Sequence, residues 1–407
     1  MQDRDLFALA LGLSKPWFVS SVELEPEQKR LNLNIDFERG GTFPCPDCGT
    51  SGCKAYDTEE RTWRHLNFFQ YETHLTARMP RITCGKCAGV RPVSAPWARP
   101  GSGFTLLFEA LVMTMAAHMP VRAIARLLGV TDMRLWRVLE HYVEQARAER
   151  DDSQVRRVGV DETSRRRGHE YISVFVDLDR ARVLYVTEGK GAETVARFAA
   201  DLAEHDGTPE QIEEVCIDMS AAFIKGVAES LPAADVTFDR FHVTKLIGDA
   251  VDKTRREDRL THPELKGQRY GLLRNVDTMN DAQLAFMSSL LLKQPTMKTA
   301  RAFHLKLAFA DFWNQPERTA ELYLRKWCGW ATRSRIPAMV AAAKTIRQHW
   351  SGVLRWFQSR ISNGLLEGIN SLIQSAKTRA RGFRTTRNLA TVIYLIAGKL
   401  QFQLTHL

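Results

Sequence analysis

Three carboxylates raise the first chemical question. Asp161 lies in Val158–Thr163, where β-branched apolar residues alternate into an acid just before the polar, basic run Ser164–Gly168. That pattern is a buried strand delivering a carboxylate to its mouth. Glu214–Asp218 has the same make and ends in Asp218, and a helix far downstream, Asn363–Asn370, carries Glu367. Oxygen ligands gathered from separate elements suit divalent cations, and divalent cations suit phosphodiester chemistry. Two acids held side by side must share a cation or see one pKa rise.

A second ligand set is made of sulfur. Cys45 and Cys48 form one C-x-x-C pair and, about thirty-five residues on, Cys84 and Cys87 form another, each in a glycine-containing turn. Two such knuckles present four thiolates to one structural zinc. Cys53, His65 and His74 fall between the pairs, close enough to replace a ligand, and read first as surface residues. The intervening stretch mixes aromatic and basic side chains in Arg61–His65, Phe68–Tyr71 and Leu75–Met79, as a β-hairpin face or a DNA contact would. A ribbon of this size buries too little apolar area to stand without the ion.

Other elements must position these groups. Val22–Glu25 and Leu31–Phe37 alternate as a small antiparallel pair, and Pro96–Gly103 has the proline and glycine content of a linker. A helix over 104–118 comes next. Val121–Thr131 then gives a short helix, a turn at Gly129, and Thr131 or Asp132 as cap of a second helix bearing Arg134 and Arg137. That is helix-turn-helix spacing, with both arginines available to a major groove. From Val158 the order is strand, strand, strand, helix, strand, helix, strand, the order of the ribonuclease H fold. A right-handed crossover sets the fourth strand beside the first and so brings Asp161 near Asp218. Residues 243–360 read as an all-α insertion whose tryptophans are mostly core. The helix of Glu367 then runs on through Lys377 to Arg379 and Arg381, its basic end turned to a phosphate backbone, with Asn363 and Asn370 each one turn from Glu367.

The fold class predicted is therefore α/β, a ribonuclease H-like core with an all-α insertion, preceded by a zinc ribbon and a helix-turn-helix. The domains expected are 1–98 (ribbon), 99–150 (helix-turn-helix), 151–242 (first part of the core), 243–360 (insertion) and 361–407 (the Glu367 helix and the C-terminal helices of the core). At 407 residues the chain exceeds one compact core, and a net charge of +10 favours a polyanionic partner, double-stranded DNA above all. The first residues lack the regions of a signal peptide, and no apolar run approaches the roughly twenty residues of a membrane span. A cytoplasmic, nucleoid-associated protein without membrane contact is expected.

Taken together, Gly159–Glu162, Gly168–Tyr171, Asp177–Asp179, Asp218–Ser220, Asp239–His242, Arg255–Arg256 and Asn363–Asn370 with Arg381–Gly382 resemble, in order, the signature blocks of bacterial DDE transposases of the ISL-three insertion-sequence family. The cysteine knuckles and the helix-turn-helix are also similar to that family's N-terminal region. The resemblance implies that Asp161, Asp218 and Glu367 are a catalytic triad holding two Mg²⁺ ions, or Mn²⁺ in their place. It implies that Asp239 and His242 form an auxiliary motif. It further implies binding of terminal inverted repeats, cleavage of the element's ends, strand transfer into target DNA, and a homodimer on DNA. A non-catalytic DNA-binding regulator and a nuclease that cuts without joining are the rival readings.

Overall fold

The computed structural model of the chain describes residues 2–166, 170–361 and 364–405; Asn363 and the first two residues of the Gly168–Tyr171 block lie outside them. Residue contacts group the chain into two compact units, one of residues up to 146 with the stretch from 401, the other of residues 147–400.

In the first unit a helix, α1 (Asp3–Ala10), leads into β1 (Trp17–Glu25), β2 (Arg30–Phe37), β3 (Thr42–Phe43), β4 (Cys53–Arg64), β5 (Glu72–Thr83) and β6 (Val90–Pro92). These form one sheet in the order β1-β2-β5-β4-β3, with β6 on β5. β1 and β2 are antiparallel as their alternation predicts, and Leu31, Leu33 and Ile35 are buried on one face. The long β4–β5 hairpin buries Trp63, Leu75, Ala77, Met79 and Ile82. Trp97 meets Trp17 and Trp63 edge to face at 5.2 and 5.6 Å between ring centroids.

Trp97 belongs to the segment expected to be a linker, yet that segment is built into the unit. Arg64 N donates to Gly103 O at 3.0 Å, Thr105 N to Arg64 O at 3.0 Å, and Leu106 N to Trp97 O at 2.9 Å. Its prolines and glycines shape turns here. Three helices come after it, α2 (Leu106–Ala116), α3 (Val121–Leu128) and α4 (Asp132–Ala148). Thr105 caps α2 by accepting from Phe108 N, and Gly129 ends α3 at φ +65°, a conformation that glycine adopts without strain. Glu109 on α2 is fully buried and accepts from Arg99 Nε (2.9 and 3.0 Å), Ser102 Oγ (2.6 Å) and the Tyr142 hydroxyl (3.0 Å).

The second unit begins with an antiparallel meander, β7 (Arg157–Arg166), β8 (Glu170–Asp177) and β9 (Arg182–Glu188). Then come α5 (Ala192–Ala203), β10 (Glu214–Ile217), α6 (Ala221–Ser230) and β11 (Asp235–Phe238). The sheet order is β11-β10-β7-β8-β9, with β10 parallel to both its neighbours. This is the ribonuclease H-like arrangement expected from the element order. Its core includes Val158, Val160 and Ile217, with Phe175 stacked on Phe198 at 4.5 Å.

The chain is helical from α7 (Arg240–Asp258) through α8 (Arg269–Leu273), α9 (Asp281–Lys293), α10 (Lys298–Ala310), α11 (Glu317–Arg333), α12 (Pro337–Gln348) and α13 (Trp350–Ser359). Trp313, Trp327 and Trp356 are core as expected, whereas Trp330 is exposed. α14 (Gly364–Ala380) and α15 (Thr386–Ala397) complete the unit. Among the described residues no helix is long and apolar enough to cross a membrane.

Two consequences for stability are open to measurement. Helix α13 lies on β11 so closely that a Cβ on Gly352 would stand 2.5 Å from the Phe238 ring. Gly352→Ala should therefore lower stability by roughly 1–3 kcal/mol in thermal melts; an unchanged midpoint would contradict this close seating. In the first unit, His65 Nδ1 lies 2.8 Å from the Thr105 hydroxyl, and burial holds its imidazole down at about 4 from an ordinary 6.5. The fold keeps this ring neutral while the unfolded chain takes up a proton. The resulting stability is whole above pH 6.5 and falls away as pH drops toward 4. The advantage of the native chain over His65→Asn should shrink by about 2 kcal/mol from pH 7 to pH 5 in paired denaturation curves.

Candidate active site

Strand register decides where the acids go. Cys216 on β10 pairs with Gly159 on β7, and Ile217 pairs with Phe238 on β11. One further step along β10 is Asp218, which is level with Asp161 on one side and Asp239 on the other. Neighbouring strands are about 4.8 Å apart, so three carboxylates stand in a row at the same end of the sheet. Asp239 is buried; it accepts from Phe241 N at the start of α7 and from His242 Nδ1 at 2.9 Å.

Burial pushes the Asp161 carboxyl above its usual range, and the charges of Asp218 and Asp239 push the same way. The Glu162 amide, 2.8 Å from Asp161 Oδ1, and His242 oppose them. His242 is raised, chiefly by its hydrogen bond to Asp239 and then by the charges of Asp239, Asp161 and Asp218. A concentration of negative charge this close is what a cation would relieve.

Helix α14 is fastened along β7 by one polar stripe. Asn370 Nδ2 donates to Asp161 Oδ2 at 2.7 Å, Gln374 Nε2 to Thr163 Oγ1 at 2.7 Å, and Lys377 Nζ to the Ser164 carbonyl and, at 3.0 Å, to Gln374 Oε1. Positions 370, 374 and 377 share a helix face, while Leu366, Ile369, Ile373 and Ala376 are buried. Glu367 sits one turn before Asn370 and is exposed. Among the described residues only the four knuckle cysteines have three or more ligand atoms all within 4.8 Å of one another. The carboxylates of Asp161, Asp218 and Glu367 are thus spaced more widely than that.

Those cysteines gather Cys45 and Cys48, just past β3, against Cys84 and Cys87, just past β5. Cys48 Sγ and Cys84 Sγ are 3.7 Å apart. A tetrahedral ion with Zn–S bonds of about 2.3 Å has sulfur–sulfur edges of about 3.8 Å, so the residues fit zinc. The backbone supports the fit: Gly49 turns at φ +70°, and its N–H donates to the Cys45 carbonyl at 2.9 Å. Thr50, whose hydroxyl is 3.1 Å from Cys48 Sγ, draws that thiol down to about 6, toward the thiolate that binds metal. Cys53 is not a surface residue as expected. It is buried in β4 with its sulfur 3.5 Å from the Thr50 carbonyl, outside the four-sulfur cluster. His65 and His74 are half-buried and outside it too.

Comparison with known proteins bears on the whole arrangement. The DDE family model described as "Transposase" matches residues 158–393, more than half of the chain. The chain belongs to the ISL3 family of transposases. A model described as the helix-turn-helix domain of transposase family ISL3 matches 93–143, and one described as the zinc-finger of transposase IS204/IS1001/IS1096/IS1165 matches 41–87. The chain is 27% identical to the transposase for insertion sequence element IS1557 of Mycobacterium tuberculosis over 437 aligned positions, covering 98% of this chain and 96% of that one. It is 26% identical to the transposase for insertion sequence element IS1001 of Bordetella parapertussis, covering 94% and 96%. A zinc ribbon, a helix-turn-helix and a DDE transposase core thus succeed one another along the chain.

Within the transposase helix-turn-helix, Arg137 is exposed on α4. Arg134 is turned inward, with its guanidinium 4.1 Å above the Phe104 ring and donating to Gly103 O at 3.2 Å. Lys377 is spent on docking α14, whereas Arg379 and Arg381 are exposed. Sequence reasoning missed Thr163 and Ser164 as anchors for α14. The polar stripe Asn370, Gln374 and Lys377, running beside the apolar one, was the signal that could have found them. It also missed the buried Glu109, whose partners lie ten and thirty-three residues away.

Removing the metal tests the ribbon. Chelation, or Cys84→Ser, should release about one zinc per chain and open the β3–β6 region to protease, while the core remains resistant. A ribbon equally protected without zinc would show that packing alone holds it.

Proposed function

We propose that Asp161, Asp218 and Glu367 are the carboxylates with which this transposase holds its catalytic cations as it cuts and joins DNA. The observation that carries the reading is the shared level of Asp161 and Asp218 on adjacent parallel strands, in a segment matched by a DDE transposase family. An all-oxygen donor set suits hard cations. When bound, two Mg²⁺ ions, or Mn²⁺ in their place, supply Lewis-acid activation of an attacking oxygen and stabilisation of a leaving one.

The chain's own residues do the rest. Asn370 holds one oxygen of Asp161 through its amide, which fixes the carboxylate plane. Glu367, three residues earlier on the same helix, joins the two strand acids by a modest movement of α14. Asp239 holds His242 by Nδ1, which leaves Nε2 to meet a phosphate or a displaced base. Arg379 and Arg381 lie along the DNA backbone, Lys377 keeps their helix seated, and Arg137 enters the major groove while Arg134 braces its helix. In this reading the segments 1–98 and 99–150 bind the terminal inverted repeats of the element, 151–242 and 361–407 carry the chemistry, and 243–360 is the insertion. Two chains assemble on paired ends, in the bacterial cytoplasm on the nucleoid.

The test is purified chain with Mg²⁺ and a labelled duplex of the element's own end, together with a target plasmid. Asp161→Asn and Glu367→Gln should each lose roughly a hundredfold or more in both cleavage and strand transfer. Undiminished cleavage by either variant would remove that residue from the triad. Cleavage without joining by the unaltered chain would make it a nuclease.

A further inference from the structure

The tip of the β4–β5 hairpin belongs neither to the carboxylate site nor to the cysteine cluster. It reads Asn67, Phe68, Phe69, Gln70, and Phe69 at its apex is 80% exposed, with φ +50°. A bulky side chain rarely adopts that conformation outside a tight turn, and among the described residues no Phe, Tyr or Trp is more exposed.

The tip is rigid. Phe68 and Tyr71 exchange both backbone hydrogen bonds, at 3.0 and 2.9 Å, and Phe68 N also donates to Thr73 Oγ1 at 3.1 Å. Behind Phe69 the rings form a ladder: Phe69 stands on Phe68 at 4.8 Å, and Phe68 on Phe7 at 5.4 Å. Arg64 Nη2 holds the Asn67 side-chain oxygen at 2.5 Å, and Asn67 is exposed. Gln70 on the other flank is exposed. Lys29, on the neighbouring turn, accepts from Glu72 N through its carbonyl at 2.8 Å and is exposed as well.

Position supplies the partner. The Glu72 carboxylate, at the foot of the same hairpin, reaches to within 2.8 Å of where a Cβ would sit on Gly129, the turn of the helix-turn-helix. That turn and the start of α4 are where such a motif meets DNA. A rigid aromatic beside it, flanked by two amides and a lysine, has the make-up of minor-groove binders, in which amides read the groove floor and an apolar side chain parts a base step.

We infer that Phe69 is a wedge, inserted between base pairs of the minor groove next to the site read by α4, so that the ribbon bends or opens the element's end. This rests on the DNA-binding reading above. The ligand class is duplex DNA with an easily unstacked step, such as a pyrimidine–purine step.

The test uses the full chain with zinc and a duplex of the element's own end carrying 2-aminopurine at successive positions. Binding should raise fluorescence at one step. Phe69→Ala should abolish that rise and weaken binding about tenfold, with an unchanged melting temperature, while Phe69→Trp should keep both signals. Phe69→Ala with native affinity and a native fluorescence rise would overturn the wedge while leaving DNA binding in place. So would a change in self-association instead of DNA binding, which would make the tip a contact between copies of the chain. Failure of the unaltered chain to bind this duplex would overturn the DNA reading, and the wedge with it.

Discussion

Parallel pairing of β10 with β7 is the constraint from which the site derives. It rests on three residue pairs, Glu214 with Arg157, Val215 with Val158 and Cys216 with Gly159. A slip of one residue would turn Val215 and Ile217 away from the core and leave Asp218 out of line with Asp161. The buried Val158, Val160, Val215 and Ile217 therefore fix the level of the acids as firmly as any contact the acids make themselves. Hydrophobic register sets polar chemistry. Burial first, and the accumulated negative charge after it, are the cost, and both appear in the upward push on Asp161.

The third acid is held differently. Glu367 comes from a helix that buries Leu366, Ile369, Ile373 and Ala376 and also meets β7 through three polar contacts, from Asn370, Gln374 and Lys377. Four residues of helix rise about 6 Å and two residues of strand about 6.6 Å. The spacing from Asn370 to Gln374 thus matches that from Asp161 to Thr163. Exposed Glu367 stands near the start of this helix, outside the sheet that positions the two strand acids.

Much of this was legible in the sequence, for identifiable reasons. Each strand acid comes after a short apolar run, the cysteine pairs sit in glycine turns, and Gly129 separates two periodic helices; all are local signals. The element order then led to the topology, because crossover handedness leaves few alternatives. The features that escaped the reading depend on partners distant in the chain. Arg134 looks like a groove-reading arginine until Phe104, thirty residues earlier, is found beneath it. Lys377 looks like a phosphate ligand until Ser164 and Gln374 are found to take two of its three N–H donors. Cys53 is buried by the fold of its own ribbon, and Pro96–Gly103, which reads as a tether, is hydrogen-bonded to β4.

That last segment has a wider effect. Through Arg99 and Ser102 it grips Glu109, which also receives Tyr142, so one buried carboxylate joins the strand-rich part of the first unit to two of its helices. A charge sealed this way cannot lose one partner cheaply, since the others would be left facing an unsatisfied group. Ribbon and recognition helix consequently behave as a single ruler with a fixed interval between its marks. Where both lie on the same duplex, an added or missing base pair between their footprints would rotate one of them off its groove by about a tenth of a helical turn, and no slack in the protein could accommodate it.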